Sequence, residues 1–332
     1  MVYAADILNE CIAKTKELFF PIRKAYWIKM TIANLLAGNS NYMNFNSFSN
    51  ISSPNTTKTS YNLSFNQAIS QINTEALNFV SKYGNLVGIF FLVIYIFILF
   101  LQYISSMFTF VFLDGIVKKE LKIKNAIKET EKQKNSLFLF RFYFGLINLL
   151  ITLLILSPVI YYFFTNNLSN FNLALLIPIL MLFIIFFIFV NIILFIVDDF
   201  LVPIMYLKKY TINDAFNYFK KIAQNNKLEI FMYWLIKIGL SIAVAFIYIF
   251  IFISILLFSI LLAIIGYFAY QILLRFHIRI SDTILILLIL FLLLFLFFIF
   301  AIITTPLATF FKIYSIEMVK KLESLNMIRE QK

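Results

Sequence analysis

Apolar positions in this chain run in long blocks, without the regular polar interruptions of a soluble amphipathic helix. Four blocks reach the roughly 20 residues that a bilayer-crossing helix needs. They run from Leu86 to Leu113, Leu137 to Phe164, Leu173 to Val197 and Thr283 to Phe311. A fifth apolar stretch, Ile230 to Leu274, would be roughly 65 Å long as one helix. It is either one crossing with an extension or two crossings joined by a tight turn. Near the start, Tyr26 to Ala37 is apolar but short, and Gly38-Asn39 forms a helix stop. It either crosses as a sixth segment or lies at the interface. The fold predicted is an all-α polytopic transmembrane helix bundle with about six membrane segments. Its expected organisation is a basic N-terminal segment (1–38) and an Asn/Ser/Thr-rich outer segment (39–85), then the bundle (86–312) and a C-terminal tail (313–332).

Charge orients the blocks. The loop from Lys118 to Lys134 carries seven Lys and three Glu, and that from Leu207 to Leu228 five Lys and one Asp. The tail from Lys312 to Lys332 carries five bases and three acids, whereas Thr165 to Asn172 carries no charge. The positive-inside rule places both Lys-rich loops and the C-terminus in the cytoplasm. Two inside anchors, near Leu228 and Lys312, need an even number of crossings between them. One crossing from Glu229 to about Phe258 and a return from Thr283 meet that need, with Ser259 to Asp282 outside. Arg275 and Arg279 are then exceptions. With Lys14, Lys16, Arg23, Lys24 and Lys29 inside as well, both termini are expected in the cytoplasm of a multi-pass cell-membrane protein. The glycosylation sequons at Asn50, Asn55, Asn62 and Asn167 all fall on the expected outer side.

Composition narrows the functions. Hydrophobic residues make up 62% of the chain and charged residues 13%, so a soluble or disordered protein is excluded. The net charge of +12 belongs to residues flanking apolar blocks, which points to anionic lipid headgroups and not to nucleic acid. One cysteine, Cys11, and one histidine, His277, exclude an intramolecular disulfide and multi-Cys or multi-His metal sites. The first 25 residues lack the uninterrupted apolar core of a cleavable signal. No nucleophile elbow, P-loop or dinucleotide glycine pattern is present, so neither an enzyme nor a bound cofactor is expected.

Three residues form the candidate intramembrane charge cluster. Asp198 and Asp199 are the only adjacent acids, and Pro203 follows them. They read either as a proton or cation site at a broken helix or as solvated acids ending a helix at the inner boundary. Lys237 stands about 12 Å into its helix. It either snorkels to the interface or pairs with one of the two Asp. The loop TINDAFNYFKKIAQNNKL places Ile212, Ala215, Phe216, Phe219, Ile222 and Ala223 on one helical face. Thr211 and Asp214 make the acidic form of a capping box. With Lys208, Lys209, Lys220, Lys221 and Lys227, this reads as a basic helix on the inner leaflet, or as a connector packed on the bundle.

Three blocks carry a family resemblance: FFPIRKAYWIKMTIANLLAG (Phe19 to Gly38), VDDFLVPIMYLKKYTINDAFNYF (Val197 to Phe219) and PLATFFKIYSIEMV (Pro306 to Val319). The chain resembles a family of uncharacterised multi-pass membrane proteins of archaea and bacteria. Its architecture is similar to the membrane domain found beside some glycerophosphodiester phosphodiesterases. Lys312 stands where that family's closing block has Arg, and the stretch from Gly266 to Leu290 is longer than the family's. The resemblance implies a location and a helix count, and no substrate. The leading functional expectation is a non-enzymatic scaffold or accessory subunit, contacting a protein partner and the bilayer. The alternative is a transporter or lipid-handling protein.

Overall fold

The computed structural model describes residues 3–38, 65–164, 176–275 and 282–330. Among them every regular element is helical. Helix α1 spans Tyr3–Phe19 and α2 Lys24–Ala37. Helix α3 spans Phe65–Lys118, α4 Ile123–Glu129 and α5 Glu131–Phe164. Helix α6 (Leu176–Ile196) passes through a π turn at Val197–Leu201 into α7 (Val202–Lys208). Helix α8 is Ile212–Asn225, α9 Lys227–Arg275 and α10 Asp282–Glu330. Five of these stretches are long and apolar enough to cross a membrane: 82–118, 131–161, 177–208, 227–272 and 286–327. This is compatible with a multi-pass membrane protein.

Three helices extend beyond the apolar blocks or resolve their alternatives. Helix α3 starts at Phe65, inside the segment expected to be an outer region up to residue 85. The stretch from 230 to 274 lies within one unbroken helix, α9, of 49 residues, about 74 Å long, with no tight turn. Helix α10 likewise runs without a break past Lys312 to Glu330, so residues 313–330 continue the last helix. Helix α2 has 14 residues, about 21 Å, short of the roughly 30 Å bilayer core. The sequons at Asn50, Asn55, Asn62 and Asn167, and His277 and Arg279, lie outside the described residues.

The chain divides into two compact units. The first comprises Met1–Asn44, Phe108–Thr130 and Phe216–Lys332, and the second Phe45–Met107 and Glu131–Ala215. In the first, α1 lies on α10 and α9, and α2 lies on α10. Tyr314 of α10 donates its hydroxyl proton to the Ala4 carbonyl of α1 at 2.9 Å. Its ring stacks on Tyr233 of α9 at 4.7 Å. Further along the α9–α10 pair, Val244, Tyr248 and Phe311 form an apolar cluster. Helix α2 is fixed by Tyr26, whose hydroxyl donates to the Gly115 carbonyl at 2.9 Å, and by Thr31, which accepts from Thr305 at 3.1 Å. In the second unit α5 packs against α6 and α7. There the Tyr103 ring of α3 meets Phe138 edge-on at 5.3 Å.

Candidate functional site

In the second unit the charged residues of the apolar helices meet around Arg141. Ten positions into α5, Arg141 is the only base in an otherwise apolar run from Leu137. One guanidinium nitrogen donates to the Ser105 hydroxyl at 3.1 Å and the Ser106 hydroxyl at 3.4 Å. The other donates to a carboxylate oxygen of Asp198 at 3.3 Å. The Arg141 and Asp198 side chains are only 16% and 20% exposed, so screening by water is weak and each charge depends on the other.

The π turn aims the aspartates. Pro203 would press its ring against the carbonyl four residues before it in a regular α-helix. Here the turn ahead of it is widened: the Val202 amide donates to the Val197 carbonyl, five residues back. One extra residue per turn changes the direction of the side chains within it. Asp198 reaches Arg141, while Asp199, its neighbour in the turn, is buried at 2% exposure. The sequence signalled a distortion here through Pro203, but a π turn has no sequence signature of its own.

Lys237, the third expected member, belongs to the first unit. It is buried, and its ammonium lies 5.9 Å from the Tyr233 ring centre and 6.0 Å from that of Phe311. That is the range in which an aromatic face attracts a cation. The Arg141 partner of Asp198 was absent from the sequence reading. Its signal was the lone base inside an apolar block.

The polar groups of the first unit gather in the last turns of α3 before Lys118 and along the middle of α10 up to Lys312. Thr31, Thr109, Asp114, Thr305, Thr309 and Lys312 are all buried there. Asp114 accepts from Lys118 at 2.9 Å, and Lys118 also reaches Glu129 at 2.7 Å. Beside them is a cleft of about 220 Å³ between α1, the last turn of α3 and α10. Lys14 bridges Glu10 at 2.6 Å and Glu317 at 3.0 Å, and Lys320 joins Glu317 at 2.9 Å. Partial burial disfavours the charge on Lys14, but its hydrogen bonds to Glu10 and Glu317 outweigh this and hold its pKa above the ordinary lysine value. No group of three or more metal-ligating side chains occurs among the described residues.

Helix α8 carries its capping box. The Thr211 hydroxyl donates to Asp214 at 2.6 Å, and the Thr211 amide donates to the same carboxylate oxygen at 3.3 Å. These bonds, the hydroxyl first, lower the Asp214 pKa. Ile212, Ala215, Phe219 and Ile222 are buried. Phe216 alone of the six predicted apolar positions is exposed, at 53%. Lys208, Lys209, Lys220, Lys221 and Lys227 are exposed around it.

These features define a class: an all-α protein whose long apolar helices carry buried charged and hydroxyl groups. The chain belongs to a family of unknown function, DUF7544, which matches residues 2–328. No curated protein and no solved structure matches it.

Proposed function

We propose that this protein is a non-enzymatic scaffold or accessory subunit of a cell-membrane complex, with both termini in the cytoplasm. The observation that carries the reading is the uneven distribution of packing. Polar and apolar burial concentrates around Tyr314, Thr305 and Asp114, whereas the apolar flanks of the spans are bare. Phe250 of α9 and Phe291 of α10 are 73% and 71% exposed, and Ile185 of α6 is 66% exposed. Lipid or another membrane protein must cover such surfaces. Mass spectrometry of the complex extracted in native lipid nanodiscs tests this. A stoichiometric protein partner is expected. A chain accompanied only by lipid or a small solute contradicts it.

Contacts within the first unit support the proposed orientation. Helix α1 lies against the C-terminal part of α10, where Tyr314 bonds Ala4 and Lys14 bridges Glu317. Helix α2 starts where Tyr26 meets the end of α3 and advances along α10 to Thr305. Thr305 stands seven residues, about 10 Å, into the span from Lys312. Helix α2 then continues about 9 Å further to Ala37. On this reading α2 is the sixth crossing. The N- and C-termini then share the Lys-rich side.

The Arg141–Asp198 pair at a π turn favours a second reading, an ion-coupled transporter, because such turns and intramembrane charges recur at functional sites. Uptake by reconstituted vesicles that is lost in Asp198→Asn would establish that reading.

A further inference from the structure

We propose that the cleft between α1, the end of α3 and α10 binds the phosphate headgroup of one anionic phospholipid. The cleft is built from two kinds of surface. Its rim carries Lys14, Lys119 and Lys320, with Glu17 and Glu317 between them. Its floor is apolar and includes Leu18, Ile116 and Ile313. A lipid presents the same order, a charged headgroup above a glycerol and the first acyl carbons.

The position fits. Ile116 and Val117 form the last turn of an apolar stretch that ends at Lys118, and Lys119 follows directly. Lys119 has a positive φ of 55°, which ends the helix and turns the chain away from its axis. The cleft thus opens at the depth where a span leaves the hydrocarbon and headgroups begin. Its volume of about 220 Å³ holds a phosphate with part of a glycerol.

The charge also fits. Three ammonium groups and two carboxylates line the cleft, and Glu10, just outside the lining, is bonded to Lys14, so the bases available to a ligand are Lys119 and Lys320. Lys119 and its partner Glu17 are 54% and 59% exposed, and Lys320 is 48% exposed. Ion pairs this exposed are weak, so a phosphate can draw both ammoniums from their carboxylates. Lys14 stays protonated at any physiological pH, held by its two glutamates. Glu317 is 12% exposed and remains bridged by Lys14, which keeps α1 seated on α10 while the other two lysines turn to the ligand.

The test uses the full chain in nanodiscs of three parts phosphatidylcholine to one part phosphatidylglycerol, with native mass spectrometry counting retained lipid. The wild type is expected to keep one phosphatidylglycerol per chain in preference to phosphatidylcholine. Lys119→Gln with Lys320→Gln is expected to lower that retention about tenfold. Glu17→Gln, which frees Lys119 without removing a base, is expected to raise it. Lys220→Gln with Lys221→Gln on α8 serves as control and is expected to leave it unchanged. Free glycerol 3-phosphate at millimolar concentration is expected not to displace the lipid. Displacement would reassign the cleft to a soluble phosphate ester and overturn the lipid assignment. Equal retention of the two lipids, equal loss in the α8 control, or lower retention in Glu17→Gln would each overturn the proposal as well. Since these readouts count lipid in isolated chains, they do not depend on whether a protein partner is found.

Discussion

Arg141 and Asp198 stabilise one another because neither is well solvated. Removing one leaves the other as an uncompensated charge, which is the costly change at such sites. Asp198→Ala alone is therefore expected to destabilise the detergent-solubilised protein by about 2 kcal/mol. Arg141→Met combined with Asp198→Leu should cost clearly less than the sum of the single changes. Thermal unfolding of the four proteins checks this, and additive effects would refute the coupling. Asp198 could be singled out from sequence because an acid beside a long apolar block is conspicuous. Arg141 carried a signal of its own as a lone base in an apolar block, but the pairing did not, since it depends on how α5 and α6 are rotated about their axes, and their largely apolar surfaces leave that rotation unmarked. Gly115 carries a similar hidden constraint. A Cβ there would lie 2.6 Å from the Met30 sulfur and 3.0 Å from Leu121 Cδ1. Gly115→Val should lower stability by about 1–3 kcal/mol through overpacking, whereas Gly88→Val, with open space around it, should not.

Among the elements, α8 shows local sequence and structure in agreement. The capping box and the buried positions 212, 215, 219 and 222 follow directly from the pattern of residues. Whether its apolar face meets lipid or protein did not, because the same face suits either. Removing the cap by Thr211→Ala should cost about 1 kcal/mol. The Asp214 contribution has a definite pH dependence. Its pKa is lowered in the folded state, so the stabilisation is present above the ordinary aspartate value and is lost as pH falls through the lowered one. Hydrogen-exchange protection of Ala215 and Phe216 should therefore hold from pH 7 to pH 5 and decline below about pH 4. Asp214→Asn should abolish that decline. Helix α9 was the opposite case. Its sequence has no Pro and no charge between Lys237 and Arg275, so nothing in it marks where a crossing ends. Gly266 could have served as a break, but one helical glycine costs only about 1 kcal/mol, too little to interrupt a helix of 49 residues.

At the scale of the whole molecule, hydropathy made the helical class and the five long stretches legible, because a bilayer imposes length and apolarity directly. Helix α2 stayed ambiguous because its 14 residues fall below that length. Its contacts with the end of α3 and with Thr305 supply what length could not, a direction of travel. The proposed topology puts α1 and the end of α10 on one side of the membrane, which demands an even number of crossings. Single cysteines at Asp6, Asn55 and Met327, each introduced into a Cys11→Ala background, test this in sealed right-side-out vesicles with an impermeant maleimide. Cys11 itself is buried and its thiol is pushed up to about 12, first by burial and then by Glu317 and Glu10, so its replacement removes no reactive group. The account predicts labelling at position 55 and protection at positions 6 and 327 until the vesicles are opened. Labelling at position 6 with protection at 327 would mean an odd number of crossings and contradict it.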